Sequence, residues 1–361
     1  MKNEPKTLDE LLSGISSANA AAADACRRQW DSIAKPLQGL GKLEESIIRM
    51  AGALGHVPEP GFRRAIFVFC ADNGVVEEGV TQTDASVTTV VTRNLCRGKA
   101  CVSLMAKCAG AEAIPVDMGI RDKFEDPNLI SRRIRTSTGN IAKGPAMTEQ
   151  EAEAAILAGA RLAGEWKEKG YSLLAAGEMG IGNTTTAAAV CCALLGLSSR
   201  EATGRGAGLS DEGLARKREA VHRALAVNHP DPTKPLEVLA RVGGLDIAGM
   251  TGLFLGGAYY QIPVVVDGLI SGASALLAKR MAEPAGDYLI ASHRTAEPAG
   301  ESVLRALRLS APLDMAMRQG EGTGAAALFP LLDQALAVFY GLGTFEQNGM
   351  DAYVPLGGEK P

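Results

Sequence analysis

The chain has 361 residues, of which 46% are hydrophobic, and this is enough apolar material for one large core with a small appended domain. The formal net charge is only −4, and no run of lysine and arginine is interleaved with aromatic side chains, so nothing indicates a nucleic-acid surface. No uninterrupted stretch of about 18 apolar residues occurs, and we therefore expect no membrane span.

The seven cysteines form no C-x-x-C pair. Their odd number and irregular spacing argue against a disulfide framework or a zinc site. We expect reduced thiols in a cytoplasmic protein, and the polar first ten residues carry no apolar secretory segment. We predict neither a bound metal nor another cofactor.

The first sixty residues predict helices. Residues 8–30 are alanine-rich and amphipathic, and residues 40–54 show a second helical pattern after Pro36. Residues 56–61, His-Val-Pro-Glu-Pro-Gly, form a cluster of helix breakers. We expect the main domain to begin after this cluster.

A repeated pattern follows, in which a short apolar run leads through a glycine-bearing turn into a helical segment. The apolar runs are 65–70, 113–116, 172–176, 263–266 and 288–291. Their nearly continuous apolar character is typical of strands buried on both faces. The helical segments are 84–109, 148–169, 183–195, 211–227, 245–260 and 271–281, with a last helix from about residue 323 that we expect to bend at Pro330. The alternation predicts an α/β fold with a doubly wound, mostly parallel sheet.

A polar residue follows each apolar run closely. These residues are Asp72, Asp117, Glu178, Asp267 and Ser292. Ligands of open α/β sheets bind outside the carboxyl ends of the strands, so the five are expected to line one rim of the sheet. Each could instead cap the helix that follows it.

The segment Gly177-Glu-Met-Gly-Ile-Gly-Asn-Thr-Thr-Thr186 lies between a predicted strand and a predicted helix. Its glycine spacing imitates a P-loop, but Asn183 stands where a P-loop has lysine, so binding of a nucleoside triphosphate is poorly supported. A glycine turn at a helix N-terminus suits a single phosphate ester. Arg205 and Lys217 could supply the missing positive charge, and a close-packed strand–helix turn is the alternative interpretation.

A later glycine cluster, Arg318-Gln-Gly-Glu-Gly-Thr-Gly-Ala-Ala326, places Glu321 just before the last predicted helix. The helix dipole keeps a carboxylate ionised there, which suits it to accept a proton from an N–H or O–H nucleophile. Helix capping explains the same pattern equally well. Asp72, Glu77 and Glu78 could together bind Mg²⁺ or simply occupy a turn, and with Asp267 they would suit a metal-dependent phosphohydrolase.

At these motifs the chain resembles the nicotinate mononucleotide:5,6-dimethylbenzimidazole phosphoribosyltransferase family. The matching segments keep their order along nearly the whole chain: 35–44, 71–75, 177–186, 213–217, 242–248, 263–268, 292–297 and 320–326. The resemblance implies that the 5-phosphoribosyl group of nicotinate mononucleotide moves to a small aromatic acceptor with inversion at C1, for the nucleotide loop of cobamides.

The resemblance also implies roles for individual residues. Glu321 would be the general base, and Glu178 would help to stabilise an oxocarbenium-like transition state. Contacts to the donor's phosphate and ribose would come from Gly180, Gly182, Asn183, Thr184, Lys217, Ser292 and Gly322. The family implies dimers and a small helical domain built from both chain ends, here residues 1–60 and 326–361, around a catalytic α/β domain over 61–325.

One region departs from the family pattern. The family commonly has Asp-His-Gly where this chain has Asp72-Asn73-Gly74, and a Ser-x-Tyr-Pro-type segment where this chain has Thr-Gln-Thr-Asp-Ala-Ser at 81–86. Because this region resembles the family's acceptor pocket, we expect acceptor contacts from Asp72, Thr81, Thr83 and Ser86. Relatives in anaerobes use phenol or p-cresol, sometimes as a heterodimer of paralogous subunits. A phenol or another small base is therefore an expected acceptor, and a non-catalytic partner subunit of such a heterodimer is the alternative hypothesis.

Overall fold

The computed structural model describes residues 3–354. Its centre is a six-stranded parallel sheet in the order β3-β2-β1-β4-β5-β6. The strands are β1 (Arg63–Ala71), β2 (Glu112–Gly119), β3 (Ile130–Ser131), β4 (Tyr171–Met179), β5 (Val264–Val266) and β6 (Leu289–Ala291). The predicted doubly wound parallel sheet is confirmed. Sequence analysis missed β3, because two residues are too few to make an apolar run.

The sheet is flanked by α-helices. In chain order they are α1 (Leu8–Ser13), α2 (Ala20–Ser32), α3 (Lys42–Leu54), α4 (Ser86–Cys96), α5 (Cys101–Cys108), α6 (Glu149–Glu168), α7 (Asn183–Leu195), α8 (Ser199–Ala202), α9 (Asp211–Asn228), α10 (Pro235–Val242), α11 (Leu245–Tyr260), α12 (Leu269–Met281), α13 (Gly300–Leu307) and α14 (Thr323–Gly341). Short 3₁₀ helices occupy Gly74–Glu78 and Glu283–Tyr288.

The two faces of the sheet belong to two separate cores. Phe67 and Phe69 of β1 point to one face, which is covered mainly by α1 and by α6 to α13. Ile66 and Val68 point to the other, which is covered by α2 to α5 and α14. Since successive side chains of a strand alternate between faces, one continuous apolar strand supplies both cores.

Glycine and alanine let the helices of the first face approach closely. A Cβ added to Gly159 of α6 would lie 2.0 Å from the carbonyl oxygen of Gly249 in α11, and one added to Gly252 would lie 2.0 Å from that of Ile156. Only residues without a side chain can bring two backbones this near. Gly159 and Gly252 are therefore packing requirements of the α6–α11 pair.

Two predicted helices are each two helices in the structure. The segment 8–30 is interrupted after α1, and α2 begins where the side chain of Asn19 accepts a hydrogen bond from the N–H of Ala22. The segment 84–109 is divided into α4 and α5 around Gly98, which has a φ of +67° that favours glycine. The last helix, α14, continues through Pro330.

The two ends of the chain lie together on the second face of the sheet. The rings of Trp30 in α2 and Phe339 in α14 meet edge to face at 4.9 Å, and Ala34 donates to the carbonyl oxygen of Gly343. These helices share one core with the sheet, and the predicted boundary at 325/326 falls inside α14. The domain division stays a prediction, and residues 1–2 and 355–361 of its terminal parts lie outside the described residues.

Among residues 3–354, one helix has the length and apolar composition needed to cross a membrane. It is α14, and half of it is buried within the structure, as in the core helix of a globular protein. This property alone is weak evidence for a membrane span.

Candidate active site

The strand order reverses between β1 and β4, and open α/β sheets bind ligands outside the carboxyl ends of the strands at such a switch point. A cavity of about 650 Å³ lies at this edge of the sheet. Its walls come from the ends of β4, β5 and β6, the first turn of α7, and the glycine loops near residues 205–208 and 318–321. The volume falls in the range typical of small-molecule sites.

Glu178 and Asn183 lie together at the end of β4. The side-chain amide of Asn183 donates to Glu178 Oε2 and to Asp246 Oδ2, the second at 3.0 Å. Burial raises the pKa of Glu178 well above its usual range, and the carboxylates of Asp246, Asp267 and Glu321 raise it further. Burial also raises the pKa of Asp246 to about 6, although the amide of Asn183 opposes this shift. The site therefore concentrates negative charge around Glu178.

A second group of residues beside the cavity carries a cation. Lys217 of α9 is 1% exposed, and its Nζ donates to Thr184 Oγ1 at 2.7 Å. Burial lowers the pKa of Lys217 to about 8, although Glu297 opposes this shift. Gly206 adjoins both groups, since an added Cβ would lie 3.1 Å from Thr184 Oγ1 and 3.2 Å from Lys217 Nζ. A hydroxyl, an ammonium group and glycine backbone thus form one small cradle.

The first turn of α7 completes this cradle. Gly182 occupies the N-cap with a φ of +93°, and no side chain caps the helix. The first N–H groups of a helix lack intrahelical acceptors and carry a partial positive charge. In α7 the N–H groups of Asn183 and Thr185 donate to the carbonyl oxygens of Gly180 and Gly182 at 3.1 and 2.9 Å, which leaves the N–H of Thr184, without such a partner among the described residues, for an anion beside Lys217.

Glu321 lies on the glycine loop that precedes α14. Its Oε2 accepts from the N–H of Val102 in the first turn of α5 at 3.1 Å, and its Oε1 accepts from Gln319 Nε2 at 3.2 Å. The side chain is 8% exposed and borders the cavity. Two hydrogen bonds hold the carboxylate in one position while leaving it open to a ligand.

The loop that carries Glu321 has a strained backbone. Glu321 has a φ of +60° between Gly320 at +74° and Gly322 at +92°, and a left-handed conformation costs a residue with a side chain about 1–2 kcal/mol. Asp267 at the end of β5 offsets this cost, because its carboxylate accepts from the N–H groups of Gly322, Gly324 and Ala325 at 2.7–3.3 Å. The carboxylate that caps the start of α14 is thus that of Asp267, and not that of Glu321.

Ser292 and His293 follow β6 but differ in exposure to the cavity. Ser292 is fully buried, and its Oγ donates to the carbonyl oxygen of Val266 at 2.7 Å. His293 borders the cavity, with Nδ1 3.0 Å from Ser292 Oγ and 4.0 Å from Asp267 Oδ1. The buried hydroxyl of Ser292 therefore contacts the ring of His293 without reaching the cavity itself.

The structure brings together most of the predicted catalytic and donor residues. Glu321, Glu178, Gly180, Asn183 and Thr184 border one cavity, and Lys217 reaches it through Thr184. The other predicted residues are next in sequence to residues that border the cavity: Gly182, Gly322 and Ser292. The roles of all these residues stay predictions.

The residues predicted to contact the acceptor substrate do not border this cavity. Thr81, Thr83 and Ser86 are outside the walls of the cavity, and Thr81 Oγ1 donates to the carbonyl oxygen of Thr83 at 2.6 Å. Asp72 is fully buried and accepts from the N–H of Arg121 at 2.6 Å. The apolar wall is instead formed by side chains that sequence analysis did not select: Val87, Val91, Met179, Ile181, Leu269 and Ile270.

Sequence analysis also missed Asp246 and His293. Asp246 begins a helix without a strand before it, so the rule of polar residues at strand ends could not select it. His293 directly follows Ser292, which that rule did select. Both lie in segments matched by the family resemblance, at 242–248 and 292–297, and those matches were the available signal.

The carboxylates considered for a metal have other partners. Glu77 pairs with Lys143 at 2.9 Å, and Glu78 pairs with Arg223 and with the amide of Asn140. Within residues 3–354, no group of three or more His, Cys, Asp or Glu residues is placed to hold a metal ion. The geometry gives no support to a phosphohydrolase that uses these carboxylates.

The fold and comparisons with known proteins define the class of enzyme. The family model described as phosphoribosyltransferase matches residues 15–350, and the chain is accordingly a phosphoribosyltransferase, an enzyme of the glycosyltransferase class.

More specific similarity comes from individual relatives. A protein of Ruminiclostridium cellulolyticum named nicotinate-nucleotide–dimethylbenzimidazole phosphoribosyltransferase is 42% identical, over 97% of this chain and 99% of its own. A Geobacter metallireducens protein of the same name is 41% identical, over 95% and 98%. A crystal structure of CobT from Thermus thermophilus matches with a TM-score of 0.86 and 42% identity, over 92% of this chain and 99% of that one. The chain belongs to the nicotinate-nucleotide–dimethylbenzimidazole phosphoribosyltransferase family.

Proposed function

We propose that the enzyme transfers the 5-phosphoribosyl group of nicotinate mononucleotide to a small aromatic acceptor, giving nicotinate and an α-riboside phosphate for the cobamide nucleotide loop. One observation carries the proposal. The cradle at Thr184 and Lys217 and the carboxylate of Glu321 open into the same cavity of about 650 Å³. A cavity of this size can hold a mononucleotide and its attacking ring in contact with both groups.

The donor phosphate binds in the cradle. Lys217 supplies a buried positive charge, and Thr184, in the first turn of α7, supplies its hydroxyl and its backbone N–H. Gly180 lets the chain pass this close, because an added Cβ would lie 2.4 Å from the carbonyl oxygen of Ala71. These contacts suit a single phosphate ester.

The transfer step exchanges one bond at C1 of the ribose for another. The bond between C1 and the pyridinium nitrogen breaks, and its electron pair leaves with nicotinate. The acceptor nitrogen or oxygen bonds to C1 from the opposite face, and its proton moves to the carboxylate of Glu321. Val102 and Gln319 hold that carboxylate in place, so no reorientation is needed at the moment of transfer.

The carboxylates around Glu178 stabilise positive charge at C1. Their mutual repulsion and burial raise the pKa of Glu178 in the free enzyme. The pyridinium cation of the donor favours the ionised form again, so Glu178 is negative when oxocarbenium character develops. The arrangement is therefore complementary to a cationic riboside.

The acceptor ring packs on the aliphatic wall. Val87 and Val91 belong to α4, which leads directly into α5, and the N–H of Val102 in α5 holds Glu321. An apolar ring against these side chains would present its N–H or O–H to the base. Dimethylbenzimidazole, named for the relatives, is the first acceptor to test, and phenol and p-cresol follow.

We further propose a dimer in the cytoplasm. The exposed apolar side chains Val90 of α4 and Leu104 of α5 lie on helices beside the cavity and support an interface there. All seven cysteines are free thiols, which supports a reducing compartment. Whether the partner is a second copy or a paralogue is part of the test below.

The test is an acceptor panel with the purified single chain. Nicotinate mononucleotide is incubated with dimethylbenzimidazole, benzimidazole, adenine, phenol or p-cresol, and riboside phosphates are read by mass spectrometry. We expect nicotinate release coupled to an α-riboside phosphate with at least one acceptor. Absence of nicotinate release with every acceptor would favour the partner-subunit hypothesis instead.

A further inference from the structure

The side chain of Asn183 has a fixed orientation. Its amide nitrogen carries two hydrogens, and it donates to two carboxylate oxygens, Glu178 Oε2 and Asp246 Oδ2. When the donor's pyridinium cation favours the ionised form of Glu178, both carboxylates only accept hydrogen bonds, so the amide cannot turn its oxygen toward them without losing both bonds. The amide nitrogen is thus fully used and cannot also hold the donor phosphate.

The oxygen of the same amide is left for a ligand. Asn183 borders the cavity, and no group within the described part of the chain donates to its Oδ1. Along the chain Asn183 directly precedes Thr184 of the phosphate cradle, and its nitrogen contacts Glu178. Asn183 thus adjoins both the phosphate cradle and Glu178, and a ribose that links a phosphate in the cradle to a C1 near Glu178 would pass beside it.

Asp246 is built into the frame behind this amide. It is 0% exposed, and its Oδ1 accepts from the N–H of Ile247 at 2.9 Å in the first turn of α11. Two glycines make room for it: an added Cβ on Gly244 would lie 2.4 Å from Oδ1, and one on Gly180 would lie 3.1 Å from Oδ2. Asp246 is absent from the cavity walls, so any effect it has on a substrate passes through Asn183.

We propose that Asp246 is a positioning residue that, by holding the amide nitrogen of Asn183, presents Asn183 Oδ1 as the hydrogen-bond acceptor for a hydroxyl group of the donor ribose. The inference rests on the proposed function, and it assigns to Asn183 a ribose contact in place of the predicted phosphate contact. A donor without that hydroxyl leaves Oδ1 buried and unpaired. Such a loss corresponds to about 10-fold to 100-fold in kcat/KM.

The experiment compares three donors in two enzymes. The wild type and Asp246→Asn are assayed with nicotinate mononucleotide and with its 2′-deoxy and 3′-deoxy analogues. In the wild type, one deoxy donor should lose about 10-fold to 100-fold in kcat/KM. Asp246→Asn should lose a similar factor in kcat/KM with nicotinate mononucleotide. It should discriminate against that deoxy donor by less than about threefold, because the amide of Asn183 is no longer held in one orientation. Asp24→Asn, on the exposed face of α2, is the matched control and should behave as the wild type.

Two results overturn the inference. One is an Asp246→Asn enzyme that folds, by circular dichroism, and discriminates between the donors as the wild type does. The other is a wild type that uses both deoxy donors as well as nicotinate mononucleotide, and this result needs no variant to fold. A wild type that turns over no nicotinate mononucleotide with any acceptor overturns the proposed function as well, so the two failures are distinguishable.

Discussion

Replacing Glu321 by glutamine removes the proton acceptor while nearly preserving its shape. The amide oxygen can still accept from the N–H of Val102, whereas the amide nitrogen would face the side-chain nitrogen of Gln319. One of two positioning bonds is lost, but the phosphate cradle is untouched. A positioned general base contributes about 10²–10⁴ in rate, or about 3–5 kcal/mol. We expect kcat to fall by that factor and the affinity for the donor to change by less than about threefold.

The assay measures nicotinate release at saturating donor and acceptor, with donor affinity obtained by calorimetry. Glu301→Gln is the matched control, since Glu301 pairs with Arg294 on the surface at 3.1 Å and should keep wild-type turnover. A Glu321→Gln enzyme with near-normal kcat would remove Glu321 from the role of base. Equal losses in kcat and in donor affinity would instead indicate a collapsed site.

Three further perturbations probe the phosphate cradle and the glycine loop. Because burial lowers the pKa of Lys217 to about 8, its positive charge is lost as pH rises through that value, and donor kcat/KM should fall there. Lys217→Met should be about 10-fold to 100-fold weaker and lack this alkaline limb, and a pH–rate profile that keeps it contradicts the assignment. Asp267→Ala removes the acceptor of three N–H groups at the start of α14, so urea unfolding should show a loss of about 1–2 kcal/mol, and an unchanged midpoint would refute this. Gly177→Ala places a Cβ 2.3 Å from the carbonyl oxygen of Glu321, so kcat should fall more than about 10-fold, and wild-type turnover would show that the loop position is unimportant.

The sheet was predictable because its strands are buried on both faces and therefore apolar throughout. The same logic located Glu178 and Asp267, which stand where β4 and β5 end. The same logic did not identify Asp246, because this residue follows no strand. Its place in the site depends on how α11 packs across the sheet, which no local sequence pattern predicts. The divided helix at 84–109 was missed because one glycine within a helical pattern is compatible with either outcome.

The acceptor region was the least predictable part of the site. Thr81, Thr83 and Ser86 were predicted because their segment resembles the family's acceptor pocket, but the chain presents Val87 and Val91 of the following helix to the cavity. Which face of α4 points inward depends on its packing against β1, β2 and β4 rather than on its own residues. The left-handed backbone conformation of Glu321 could not be predicted either, because flanking glycines permit such a conformation without requiring it.

The position of α14 in the chain has a consequence for biosynthesis. A ribosome releases the α/β strands long before it has made residues 323–341, the helix that covers part of their second face. Until then Phe329 and its neighbours are missing, and the core that includes Ile66 and Leu173 is incomplete on a nascent chain. Asp267 likewise receives its hydrogen bonds from Gly324 and Ala325 only after α14 has been synthesised. The loop with Glu321 is therefore completed later in synthesis than the sheet that it borders.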